Sequence, residues 1–321
     1  MRILCLHGGG LNADIMQRQM SGIIDALDPD YDFVFIEGDI ERPAAPGVPA
    51  GMLGPFYSYY DDPSHTSIRA ACDLIDVVVE EEGPFDGFIG FSQGAAVGVS
   101  YVMDRETNMP DEQCPFQWML LFSCTIALSP DAGLYDLQFE VRDMLRKKEG
   151  AGGVITIAGI SHGTKHENDT SLRGSKMVRS KNGELYLSDP SALEALEDDY
   201  YALIEAFAQS AQNEGKEGIM LRHQDAFENP STANALIYYH PGMTSERVPV
   251  PSIHCVGKRD TTEILEQSKL IRDLCEEGDT TYLEHDGGHD IPRDSVTVQA
   301  IAKALRKIIE DSRWKARRPI C

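Results

Sequence analysis

Short apolar runs alternate with amphipathic stretches over residues 1–124 and again after residue 248. Ile3–Leu6 is a strand-length apolar run stopped by Gly8-Gly9-Gly10, and Phe33–Ile36 reads as a second, buried strand. Gly87–Phe91, Phe116–Phe122, Val250–Val256 and Thr280–Leu283 have the same character. Between them the period changes. Met16, Met20, Ile23, Ile24 and Leu27 recur at three and four, which makes one apolar helix face, and Asn12 is a good N-cap for it. Ile68–Glu82, Thr262–Cys275 and Val296–Ile309 also read as helices. Gly94–Met103, rich in small residues, reads as a tightly packed one. Pro43–Pro63 is Pro/Gly-rich and reads as loop around the aromatic group Phe56, Tyr57, Tyr59 and Tyr60. Strands alternating with helices predict an α/β fold, a mostly parallel sheet flanked by helices on both faces.

The rhythm breaks between residues 125 and 247. Leu134–Lys148 and Ala192–Gln212 read as helices, and Val154–Ile157 as a strand. Met177–Arg179 and Glu184–Leu187 flank Asn182-Gly183, a strong signal for a small β-hairpin. The expected organisation is a core of residues 1–124 and 248–321 with a large cap insertion, 125–247, packed on it.

Composition narrows the function. Of 321 residues, 42% are hydrophobic, enough for a sizeable core and too many for a disordered chain. Lys and Arg number 29 against 52 Asp and Glu, so the net charge is −23 and the bulk field repels nucleic acid. The charge is uneven. Asp189–Pro230 opposes ten acidic residues with only Lys216 and Arg222, whereas Lys165, Arg173, Lys176, Arg179 and Lys181 form a basic stretch. That stretch could meet an anionic carrier protein or coenzyme A. No apolar run reaches membrane-spanning length and no secretory pattern opens the chain. The seven cysteines are odd in number, lack any C-x-x-C and sit in apolar runs, so free thiols in the cytoplasm are expected.

The candidate chemistry starts at Gly90-Phe91-Ser92-Gln93-Gly94, a G-x-S-x-G string between a strand and a small-residue helix. On its own the string is weak; in that context it predicts a sharp elbow that lifts the Ser92 hydroxyl above the sheet edge. A serine hydroxyl needs a base, and the base needs an orienting carboxylate. Asp260 follows the Val250–Val256 strand, and His289 lies in a Gly-rich loop after the next one. Nucleophile, acid, histidine is the chain order of the α/β-hydrolase arrangement. His285 and Asp290 are the rival base and acid. Backbone donors for a tetrahedral oxyanion are expected from Gly9, within His7-Gly8-Gly9-Gly10, and from Gln93. Phe56, Tyr57, Tyr59 and Tyr60 are candidates for the substrate pocket.

Three other patterns were weighed. Gly8-Gly9-Gly10-Leu11-Asn12-Ala13 also fits G-x-G-x-x-A, with Glu37 closing the next strand, as a dinucleotide site would require. That reading leaves Ser92, Asp260 and His289 unexplained, so no cofactor is expected. His162 and His166 lie in a polar, Gly-containing stretch, so no metal is expected. The same oxyanion loop and base could instead stabilise an enolate for cyclisation or condensation without net hydrolysis.

Four stretches together resemble the FSH family of serine hydrolases, a fungal-rich branch of the α/β-hydrolase fold. They are Ile3–Gly8, Gly87–Ala95, Gly257-Lys258-Arg259-Asp260 and Gly288-His289-Asp290-Ile291-Pro292. The resemblance implies Ser92, Asp260 and His289 as a catalytic triad. It implies hydrolysis of a carboxylic ester or acyl thioester through an acyl-Ser92 intermediate. It also implies a place in fungal secondary, polyketide-type metabolism. The insertion is larger than the family pattern, and it bears on substrate class because a cap shapes the pocket.

Overall fold

The computed structural model describes residues 1–131 and 238–316, except 50, 63, 242, 243, 245 and 277, together with the backbone of residues 177–179 and 185–187. The first strand, β1 (Arg2–Leu6), pairs in parallel with β2 (Asp32–Ile36) and β5 (Gly87–Phe91). β6 (Met119–Phe122), β9 (Ser252–Gly257) and β10 (Thr280–His285) extend the sheet, again in parallel. The order is β10-β9-β6-β5-β1-β2. All six strands run the same way, so every connection must cross over a face, and helices fill the described crossings β1–β2, β2–β5, β5–β6 and β9–β10.

The strands send alternate residues to opposite faces. Leu4, Leu6, Phe88, Met119 and Leu121 meet α2 (His65–Glu82), α3 (Gln93–Asn108) and α4 (Thr262–Asp273) in one core. Ile3, Cys5, Ile89, Leu120 and Phe122 meet α1 (Ala13–Asp25) and α5 (Ser295–Ala316) in the other. The expected N-cap is in place: Asn12 Oδ1 accepts from Ile15 N at 2.9 Å. Sheet, order and two helical layers are the α/β-hydrolase fold.

Three expectations are adjusted. Phe33–Ile36 is a strand but only half-buried, because among the described strands β2 is at the sheet edge and pairs with β1 alone. The Pro43–Pro63 stretch is not all loop. Phe56–Ser58 forms β4, antiparallel to β3 (Ile40–Arg42), and three-residue strands are too short to show a period. The Phe116–Phe122 strand begins at Met119, with Phe116 and Trp118 buried in its lead-in.

β7 (Met177–Arg179) and β8 (Leu185–Leu187) pair antiparallel, as the Asn-Gly signal predicts. The turn between them, the helices expected at Leu134–Lys148 and Ala192–Gln212, and the strand expected at Val154–Ile157 lie outside the described residues. So does the basic stretch, apart from the backbone of Met177–Arg179. The chain on either side of this region returns to one place: Leu128 bridges Tyr238, and Tyr239 N–H donates to Ala127 O at 2.9 Å. Ile126, Ala127, Leu128, Tyr238 and Tyr239 are all buried in the α2–α3–α4 core. Among the described residues no helix is long and apolar enough to cross a membrane. Six of the cysteines are described; all are unpaired, and all but the half-buried Cys114 are buried.

Candidate active site

β5 ends at Phe91, and Ser92 turns the chain into α3 with φ 51° and ψ −118°. Few L-residues adopt that conformation, so the surroundings must hold it. They do: Ser92 N–H donates to Phe122 O at 2.9 Å, and Ala96 N–H donates to Ser92 O at 3.0 Å. The flanking glycines are a steric requirement. A Cβ on Gly90 would strike the Ala95 backbone, and one on Gly94 would strike the carbonyl oxygens of Leu6 and His7. The Ser92 hydroxyl makes no capping bond to α3 and faces outward instead.

It meets His289. His289 Nε2 lies 2.9 Å from Ser92 Oγ, and His289 Nδ1 lies 2.9 Å from Asp260 Oδ2. The Asp260 side chain is fully buried, whereas His289 is exposed by about a third (37%), so the imidazole has a solvent-facing edge. Asp260 lies just ahead of α4, where a carboxylate can cap a helix. The N-cap is Thr261, whose Oγ1 accepts from Ile264 N, which leaves Asp260 Oδ2 for the histidine.

The loops carrying acid and histidine are stitched together by backbone. Lys258 N–H donates to His285 O and Arg259 N–H to Gly287 O, both at 2.9 Å. Gly257 makes this possible, since a Cβ there would strike Gly288 O. The Phe91 ring packs against the His289 ring at 5.1 Å between centroids. The rivals point elsewhere. His285 is buried under the loop, its Nδ1 accepts from Gly287 N, and burial lowers its pKa. Asp290 Oδ1 accepts from Ile291 N and Gln19 Nε2.

Gly9 and Gln93 lie side by side at the mouth of α3. The Gly10 N–H is already bonded to Tyr57 O at 2.7 Å. The Gln93 side chain is a clamp: Oε1 accepts from Tyr59 N at 3.0 Å, and Nε2 donates to Tyr60 O at 2.8 Å. It ties the aromatic segment to the start of α3, a function that no sequence spacing announces. The N-terminus of α3 also favours negative charge near its first N–H groups. His7 is structural. Its Nδ1 bonds Gly8 O at 2.8 Å, its Nε2 accepts from Gly38 N at 3.3 Å, and burial lowers its pKa to about 4.

A cleft of about 430 Å³ opens beside Ser92 and His289. Leu11, Ile15, Val48, Met52 and Phe91 give it an apolar wall. The four aromatic residues expected in the pocket are not in this wall. Tyr59 and Tyr60 are buried, and Tyr59 Oη accepts from His7 N and donates to Ile36 O. Phe56 and Tyr57 belong to β4, and Phe56 packs on the α1–α5 core. The part of the Pro/Gly-rich stretch that reaches the cleft lies upstream, at residues 45–49 and 52.

The glycine loop is closed over at Gly10. Ala45 N–H donates to Gly10 O at 2.8 Å, so the 43–45 chain covers it. Glu37, the would-be ribose acid, accepts from Ala13 N at the start of α1. No cluster of three metal-ligating side chains occurs among the described residues.

A model of the serine hydrolase (FSH1) family matches residues 1–301. The chain belongs to the FSH1 serine hydrolases. Among its relatives, esterase alnB of Emericella nidulans is 32% identical over 316 residues, 97% of each chain. Hydrolase FUB4 of Fusarium oxysporum f. sp. lycopersici is 26% identical over 91% of this chain and 92% of its own length. Among solved structures, the monoacylglycerol lipase of Paleococcus ferrophilus aligns over 97% of this chain and 94% of its own, at 16% identity and a TM-score of 0.44.

Proposed function

We propose that this serine hydrolase cleaves a carboxylic ester or acyl thioester through an acyl-Ser92 intermediate. The observation that carries the reading is the pair of 2.9 Å contacts at His289, one to Ser92 and one to Asp260. His289 Nε2 takes the Ser92 proton as Oγ attacks the carbonyl carbon. Asp260 holds the tautomer with the proton on Nδ1 and stabilises the imidazolium that forms. The tetrahedral oxyanion is received by the N–H groups of Gly9 and Gln93. His289 returns the proton to the leaving alcohol or thiol. It then activates water, which releases the acid and restores the Ser92 hydroxyl.

The substrate class proposed is an acyl ester or thioester of fungal secondary metabolism. Its support is the fungal origin of the relatives, one of them named an esterase. A carrier protein or coenzyme A conjugate is the corresponding partner. Short nitrophenyl esters, acyl thioesters and lactones, compared by turnover, decide between the classes.

A fluorophosphonate should add one adduct to the wild-type protein and none to Ser92→Ala, with hydrolysis lost by about 10⁴-fold or more. Equal labelling of the two proteins, or none, would sink the reading. Activity that survives Ser92→Ala but not His289→Ala would point to enolate chemistry at the same site.

A further inference from the structure

The cleft beside Ser92 is apolar along its wall and cationic at its rim. Ile15 and Arg18 are three apart on α1, so they share one face: Ile15 lines the wall and the exposed Arg18 reaches the rim. Arg293, four residues beyond His289, lines the same cleft. Among the described residues no carboxylate pairs with Arg18. Arg293 has one weak partner, Asp290, with 3.6 Å between Nη2 and Oδ1. That oxygen already accepts from Ile291 N at 2.8 Å and Gln19 Nε2 at 3.2 Å. Among the described residues the cleft therefore holds two guanidiniums against one carboxylate, whose charge is shared among three donors.

This local sign opposes that of the chain, whose net charge is −23. Cations next to an apolar, low-dielectric wall exert a stronger field than the same cations on open surface. Both are arginines, whose planar fork matches carboxylate and phosphate oxygens two at a time.

We infer that Arg18 and Arg293 select substrates that carry an anionic oxygen group, a carboxylate or a phosphate, beyond an apolar acyl segment. This rests on Ser92 as the nucleophile. The anion has two possible sources: a carboxylate on the acyl chain, or the phosphates of a pantetheine-type leaving group. Both present the same chemistry to the arginines.

The test has two matched arms. In the first, the nitrophenyl half-ester of a dicarboxylic acid is compared with its methyl-capped neutral twin. In the second, an acyl-coenzyme A is compared with the N-acetylcysteamine thioester of the same acyl group. Concentrations are normalised by active-site titration with a fluorophosphonate, so a misfolded fraction does not count. In at least one arm kcat/KM should favour the charged member by about tenfold, carried by KM, and that arm identifies the source. The ratio should fall towards one in Arg18→Gln/Arg293→Gln and partway in each single variant. The preference should also shrink as salt rises. Ratios near one in both arms, or ratios untouched by the double variant, overturn the inference. Turnover of the neutral esters in that case leaves the hydrolase reading standing. Failure of all four substrates, with no titratable Ser92, overturns both.

Discussion

Ser92 is held in a conformation that costs free energy, and the residues around it explain why it stays there. Its N–H and C=O are both hydrogen-bonded, and Gly90 and Gly94 leave room for helix and strand to close on it. Its side chain makes no helix-capping bond and meets His289 instead. Asp260 matters through the histidine. Its Oδ2 accepts from His289 Nδ1, and its Oδ1 accepts from Thr261 N at 2.9 Å. Asp260→Asn keeps the shape but offers a donor where an acceptor is needed, so the imidazole turns to the wrong tautomer. The expected result is a kcat lower by about 10⁴-fold with KM nearly unchanged, measured on a nitrophenyl ester. A loss under tenfold would remove Asp260 from the proposed mechanism. The three residues were legible because each sits in a short motif at the end of a strand. The Gln93 clamp and Gly257 were not legible, because their partners lie far away in sequence.

At the scale of elements, the site is an outcome of strand ends and close packing. Ser92, Asp260 and His289 follow β5, β9 and β10, all parallel, so their carboxyl ends point to one edge. α3 lies against β1 and β5 with almost no side chain between. That contact should tolerate no added methyl. Gly94→Ala is expected to lower stability by about 2–3 kcal/mol or more, because its obstacles are backbone carbonyls that cannot rotate away. A urea midpoint equal to wild type would contradict this. The strands and helices of the core were readable from period and apolar content. β3 and β4 were not, because each has only three residues and they meet across a loop. The half-buried state of β2 was also hidden, since an apolar run does not tell an edge from a centre.

At the scale of the whole molecule, Leu128 and Tyr238 bridge, so two points 110 residues apart in the chain meet at one place on the sheet domain. We propose that the intervening chain is a single insertion that shapes substrate access. Joined ends make it separable. Replacing residues 132–236 with a short Gly-Ser linker should leave a cooperatively folding protein that a fluorophosphonate still labels at Ser92, with a changed acyl-length preference. An insoluble product, or one without labelling, would show that the insertion is part of the core.

The amino-acid sequence by itself determined the periods of strand and helix, the elbow at Ser92, and the placing of Ser92, Asp260 and His289 just past strands, because these are local patterns. Only the tertiary structure decided what crosses between distant segments. It aimed His289 at both Ser92 and Asp260, and it removed the aromatic segment from the cleft wall. It also covered Gly10 of the G-x-G-x-x-A string with the 43–45 chain while leaving Gly8 and Gly9 on the cleft. It brought Arg18 and Arg293, far apart in the chain, to the rim of one cleft inside an acidic protein. The reason is the same in each case: side-chain type is written along the chain, but the distance between two side chains is set by how the sheet and its helices pack.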